Sequence, residues 1–205
     1  MDAPTVFWDN QGRPQVLGDL AMATAEQTLL NAEEFGLRPD IGRPEELVRG
    51  KIVMSPPPNR RHGYTCAEIV FHLRRFLEDQ KLGRVYSNDS AIVTERNPDT
   101  VRGADVAYYS YERLPESSRS TGYGPEIPEL VFEVKSPSDR WSDVLKKIAE
   151  YLNAGVLFVT VLDLDDEIAV VHGAESAPRT LGRNDELTYP EILPGFSVVV
   201  GRLFE

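Results

Sequence analysis

Apolar positions along this chain follow two periods, and the switches between them lay out its elements. Between Gly63 and Leu82, the residues Cys66, Ile69, Val70, Leu73, Phe76 and Leu77 recur at helical spacing and predict an amphipathic helix. A second helix is predicted over Trp141–Ala154, with Trp141, Val144, Leu145, Ile148, Tyr151 and Leu152 as its apolar face and Asn153-Ala154-Gly155 as its stop. Between the two, the pattern changes to strands, at about Arg84–Ser87, Ala91–Glu95 and Ala104–Tyr109. Leu130, Val131, Phe132 and Val134 then make a strand buried on both faces, stopped by Pro137. Val156–Leu164 is another buried strand, and Ile168–His172 pairs back against it across the acidic turn Asp163–Glu167.

The flanks are plainer. Thr5–Trp8 and Gln15–Leu17 surround the turn signal Asn10-Gln11-Gly12 and predict a short hairpin. Thr24 and Gln27 have capping-box spacing, so a helix of about three turns is expected, with Leu29, Leu30 and Phe35 on its apolar side and Gly36 and Pro39 at its end. Glu46 to Met54 reads as two short strands bent at Gly50 and closed by Pro56-Pro57-Pro58. Ser110–Pro128, rich in Ser, Gly, Glu and Pro, reads as a long loop of the kind that forms lids or binding surfaces. Beyond His172, Leu187, Pro190, Ile192 and Leu193-Pro194-Gly195-Phe196 predict small closing strands and turns.

The element order predicts one α/β domain over residues 1–205, with a mixed central sheet flanked by helices. Its core spans 62–164, and residues 1–22 form a hairpin-like extension. The strand–helix–strand unit Leu130–Leu164 predicts a right-handed parallel crossover. A chain of 205 residues can bury a full core. No apolar run reaches the roughly 18 residues of a membrane span, no signal peptide opens the chain, and the single Cys66 fits a reducing cytoplasm.

Charge changes the picture. Lys and Arg number 22 against 33 Asp and Glu, a net −11, which is the wrong sign for broad adhesion to nucleic acid. From Asn59 to Arg84 the balance reverses: Arg60, Arg61, Arg74, Arg75, Lys81 and Arg84 outnumber Glu68, Glu78 and Asp79. A contact with DNA therefore needs this local basic region, or a metal ion that offsets carboxylates.

The candidate chemistry lies in the buried strand. Strand side chains alternate, so Glu133 and Lys135 emerge on one face of an otherwise apolar segment. Lys and Glu are rarely buried unless paired, so the two form either a structural ion pair or part of a site. Asp105, between Ala104 and Val106, is a second acid inside an apolar strand. Carboxylates brought together resist ionising unless a cation lies between them, and hard oxygen donors suit Mg²⁺ or Mn²⁺. Such an ion polarises a phosphoryl oxygen, and an adjacent ammonium stabilises the charge that develops there. The set suits phosphodiester hydrolysis.

His62 falls on the inner edge of its helix, facing a site or merely opening the helix, whereas Glu68 lies on the outer side. Glu46 is either a third carboxylate or a surface acid. Lys147 flanks the apolar stripe of the second helix and faces either solvent or the site. Ser136, Ser138 and Asp139 read as turn and capping residues, with Ser136 near enough to touch a substrate. Three histidines without Cys partners argue against structural zinc, and no P-loop, G-x-G-x-x-G or G-x-S-x-G motif supports a nucleotide cofactor or a serine hydrolase.

Asp105 followed after a loop by Glu133-Val134-Lys135 resembles the signature of the PD-(D/E)XK nuclease superfamily, and the element order resembles its αβββαβ core. More closely, the chain resembles the Uma-type family of restriction endonuclease-like proteins through several collinear stretches. These include Glu46–Ile52, His62-Gly63, Ala104–Ala107, Pro128–Arg140, Lys147–Val156 and Leu193–Phe196. The resemblance implies a metal-dependent endonuclease acting on DNA, with Asp105 and Glu133 as metal ligands and Lys135 as the catalytic cation; His62, Glu46, Lys147 and Ser136 are the candidates for supporting roles. It also implies a homodimer. Ala104 stands where the superfamily has proline, and many relatives carry their lysine at the position of Lys147. The alternative is an inactive module of the same fold that binds nucleic acid or a protein partner.

Overall fold

The computed structural model describes residues 6–8, 14–16, 29–119 and 122–205. Near the start of the chain, β1 (Val6–Trp8) and β2 (Pro14–Val16) pair antiparallel, as the hairpin pattern predicts; the turn between them lies outside the described residues. Helix α1 is Ala32–Gly36, shorter than expected. Its capping box is Asn31 with Glu34, and the expected box of Thr24 and Gln27 lies outside the described residues. β3 (Glu45–Val48) and β4 (Lys51–Met54) form the expected hairpin. Arg49 and Gly50, both at positive φ, make the two-residue turn whose twist suits a hairpin.

α2 (Arg60–Leu77) begins one turn before the predicted start because Asn59 caps it, accepting the His62 N–H at 3.0 Å. The two strands expected over 84–95 are one strand, β5 (Gly83–Glu95), interrupted by a bulge at Asn88 and Asp89, both at positive φ. β6 (Thr100–Ser110) and β7 (Leu130–Lys135) follow, the latter buried along its whole length. Then come α3 (Trp141–Ala154), closed by Gly155, and β8 (Phe158–Asp163), which runs parallel to β7. The order α2–β5–β6–β7–α3–β8 is the αβββαβ core expected from the pattern. β9 (Ile168–Gly173) and β10 (Ser176–Leu181) extend the sheet antiparallel, while β11 (Glu186–Tyr189) and β12 (Leu193–Val199) form a separate hairpin.

The main sheet runs β10-β9-β8-β7-β6-β3-β4, with β5 on the remaining edge of β6. One layer packs Ile69 and Leu73 of α2 against Val106, Phe132, Val134 and Leu162; the opposite layer packs Ile148 and Tyr151 of α3 against Ala104, Ala107, Val131 and Val161. Helices therefore cover both faces. Trp141 and Leu145, predicted on the apolar face of α3, are exposed instead, with the Trp141 ring facing the Lys135 ammonium rather than the core. The 110–128 loop packs Leu114 and Ile127 into the α3-side layer, and Arg113 ties it down by donating to the carbonyls of Ile127, Pro128 and Gly155. Tyr123 packs against Phe35 of α1.

One topological feature positions everything that follows. β6 gives one edge to β5 but divides the other, with Val106–Tyr108 pairing to β7 and Val101 pairing to β3. The sheet forks there, leaving Arg102–Asp105 at an unpaired edge.

Candidate active site

The fork turns strand alternation into convergence. Ala104 packs on the α3 side, yet Val106, two residues on, packs on the α2 side. Alternation slips between them, opposite the Asn88–Asp89 bulge. Asp105 sits at the slip, and its carboxylate turns toward β7, accepting the Val134 N–H at 2.7 Å. That donor lies beyond the last β6–β7 ladder pair and would otherwise be left without a strand partner. The register places Asp105 opposite Glu133, one step past the Val106–Phe132 pair.

Glu133 points into the α3 layer. Its Oε1 accepts from the Tyr151 hydroxyl at 2.8 Å, and its Oε2 lies 3.5 Å from Lys147 Nζ. Burial, helped by the negative charge of Asp105, pushes the Glu133 carboxyl up to about 7, although Lys147 and the Tyr151 hydroxyl pull the other way. Lys147 also lies 3.0 Å from Glu46 Oε1. Burial alone would lower its pKa, but Glu133 and Glu46 outweigh that and hold the ammonium firmly charged. Glu46 reaches the same place from β3. It accepts the Gly103 N–H at 3.1 Å and pairs with Arg102 at 2.7 Å. Burial favours its neutral form, but Lys147 and Arg102 prevail and keep it ionised.

From the α2 side comes His62, whose Nε2 lies 3.2 Å from Asp105 Oδ2. Burial disfavours its charged form, yet the Asp105 contact raises its pKa overall. Its Nδ1 lies 3.5 Å from Cys66 Sγ. Burial pushes that thiol well up, so Cys66 is a neutral partner rather than a thiolate ligand. The His62, Cys66 and Asp105 donor atoms lie within 4.8 Å of one another, but the imidazole bridges the other two with its two ring nitrogens.

Of the residues singled out in the sequence, the fold thus brings together Asp105, Glu133, Glu46, His62 and Lys147. It directs Lys135 elsewhere. Lys135 shares the face of Glu133, as alternation requires, but its ammonium turns sideways to Asp163 (3.3 Å) and Asp165 (3.4 Å) and lies 5.6 Å from the centre of the Trp141 ring. Asp163 is its register partner on β8, which explains the direction. Neither a Glu133–Lys135 ion pair nor a Lys135 contact with the carboxylate site forms. Ser136 belongs to the turn after β7, donating its N–H to Asp139 at 2.8 Å and accepting from Asn59 at 3.5 Å.

Four further residues complete the site without having been singled out for it. Arg102 clamps Glu46 and pairs with Glu150 at 2.5 Å. Tyr151, read only as an apolar-face residue, follows Lys147 by four positions on α3, a spacing that puts both over Glu133. Asp89 stands in the bulge of β5, and its carboxyl is pushed up by burial and by Asp105. The turn-prone Asn88-Asp89 pair between two strand patterns was its one visible signal.

Asp105, Glu133, Glu46 and Asp89 offer the hard carboxylate oxygens that a divalent cation takes, and burial keeps the Glu133 carboxyl raised despite Lys147. Among the described residues, the donor atoms that lie within 4.8 Å of one another are those of His62, Cys66 and Asp105.

The family model described as "Uma2: Putative restriction endonuclease" matches residues 32–201. Among solved structures, the chain is similar to "a putative nuclease belonging to DUF820" from Anabaena variabilis ATCC 29413. The TM-score is 0.73 at 18% identity, covering 85% of this chain and 97% of that one. At that identity the likeness is one of fold, and it places the αβββαβ core and mixed sheet in a nuclease fold. No curated protein matches the chain. Among the described residues, no helix is long and apolar enough to cross a membrane.

Proposed function

The chain belongs to the Uma2 family of restriction endonuclease-like proteins, and on that premise we propose that it hydrolyses DNA phosphodiester bonds with a divalent metal, Mg²⁺ or Mn²⁺. The observation that carries this reading is the Lys147 ammonium set between Glu46 and Glu133 at the fork that also holds Asp105.

Asp105 and Glu133 are the residues that would hold the ion, which when bound supplies polarisation of a phosphoryl oxygen and a more acidic water. The protein's own groups do the rest. Lys147 stabilises the charge that builds on the phosphoryl oxygens, from a half-buried position beside Glu133. Glu46 and Arg102 fix where the ammonium points, Tyr151 orients the Glu133 carboxylate, and His62 fixes Asp105 from the opposite layer. The role first expected for Lys135 passes to Lys147. A homodimer would set two such sites against the two strands of a duplex, and sedimentation velocity distinguishes it from a monomer.

The test is cleavage of supercoiled plasmid with Mg²⁺ or Mn²⁺, against EDTA. Metal-dependent nicking is expected from the wild type and its loss from Asp105→Asn and Glu133→Gln. Equal nicking by those variants, or none by any form, would reject the reading.

A further inference from the structure

Away from the carboxylate site lies a groove of about 930 Å³ between the C-terminal half of α2, the first residues of β5 and the loop after β6. Arg74, Arg75 and Arg84 line it together with Phe71, Tyr86 and Tyr111, against the acids Glu78 and Glu116. In a chain of net −11 this is a local excess of guanidinium groups. Arg74 and Arg75 are exposed and make no ion pair among the described residues. Arg84 donates to the Glu116 carbonyl at 2.7 Å and lies 5.7 Å from the centre of the Tyr111 ring. Phe71 is half exposed on the groove wall and presents an open ring face beside the arginines.

We propose that this groove binds a single-stranded stretch of nucleic acid, with phosphates on Arg74, Arg75 and Arg84 and bases stacked on the aromatic rings. Cationic grooves with interleaved aromatics hold single strands this way, because every base offers a π face. An acidic peptide would satisfy the arginines but offer no planar group to the exposed Phe71 ring or to the Tyr111 ring that already stacks with Arg84. Continuity with the carboxylate site also favours a polymer that reaches both places. β5 runs from Arg84 in the groove to Asp89 beside Asp105, and α2 runs back from Arg75 to His62. Five strand residues span about 17 Å, or roughly five nucleotides. The proposal rests on the nuclease reading for what lies at the far end of that path, but the groove itself can be tested alone.

The experiment is fluorescence anisotropy of a labelled oligothymidylate of about twelve nucleotides, in EDTA at low salt. The proteins compared are the wild type, Arg74→Ala/Arg75→Ala, Tyr111→Ala and Glu133→Gln, each checked for an unchanged melting temperature. Binding by the wild type is expected, weakened about tenfold or more in both groove variants, with the salt slope of the arginine pair reduced by about 1.4. Glu133→Gln, which removes a carboxylate at the far end of the path, should bind no more weakly than the wild type. Wild-type affinity in the groove variants, no binding at all, equal displacement by polyglutamate, or an effect of the arginine pair on self-association alone would overturn the proposal. Plasmid cleavage separates the two readings. Cleavage with unaltered binding in the groove variants rejects only the groove, whereas groove-dependent binding without cleavage rejects only the nuclease.

Discussion

Lys147 Nζ lies 3.5 Å from Glu133 Oε2, joining the middle of α3 to the middle of β7 across the layer that covers the sheet. Lys135, two residues along from Glu133 and on the same face, has no such contact and is held by Asp163 at 3.3 Å. The two lysines therefore predict opposite phenotypes. Lys147→Ala should lower cleavage by about a hundredfold or more, as losing a preorganised charge does. Lys135→Ala should keep most of the activity but leave the buried Asp163 unpaired, at a cost of about 3 kcal/mol read by urea denaturation. Loss of activity in Lys135→Ala at full stability would reverse the assignment.

Glu133 makes stability fall with pH. Its carboxyl titrates near 7 in the folded protein, above the ordinary carboxylate value, so the folded state binds the proton more tightly than the unfolded chain. Its contribution is fully present at pH values below the unfolded pKa and is lost as the pH rises through about 7. For this one buried group the loss is of the order of 3 kcal/mol. Glu133→Gln should remove that fall relative to the wild type in a pH series of urea melts. Mn²⁺ should raise the wild-type melting temperature at pH 8 and not that of Glu133→Gln.

Arg102 is a positioning residue. It bonds Glu46 at 2.7 Å and Glu150 at 2.5 Å, so Arg102→Met leaves Glu150 without its cation and Glu46 with Lys147 alone, free to draw the ammonium away from Glu133. Stability should fall by about 3 kcal/mol. The acidic limb of the pH–rate profile should move to higher pH as Glu133 loses its ammonium. A purely structural role would change stability without moving that limb.

Gly103 tests the bulge. A Cβ there would lie 2.9 Å from the Asp89 Cβ and 3.1 Å from its carbonyl oxygen, so the bulge must shift to admit it. Gly103→Ala should cost about 1–3 kcal/mol and displace Asp89 from the site. Cleavage should fall with it, while oligothymidylate binding at the arginine groove stays unchanged.

Much of this fold was legible because periodicity reports burial directly. The stripe of α2, the bounds of α3 and the buried β7 all follow from spacing, since each element must hide one face or both. At the first helix, Asn31 and Glu34 cap a start at Ala32, and the box read at Thr24 and Gln27 lies outside the described residues. Two predicted strands merged into β5 because turn-prone Asn88-Asp89 can form a bulge as readily as a loop.

By itself, the sequence determined the element order, the face on which Glu133 emerges and the presence of Asp105 within a neighbouring strand. Those depend only on local periods of 2 and 3.6 residues. Tertiary structure alone decided which lysine meets the carboxylates. Alternation fixes the face of a strand residue but not the sideways direction of a long side chain, and that was set by Asp163, brought alongside Lys135 by parallel pairing with β8. The fork in β6 was equally unwritten, since it arises where two strands compete for one edge. There Asp105 leaves the alternating pattern, and acids from β3, β5, β6 and β7 gather around the ammonium of α3.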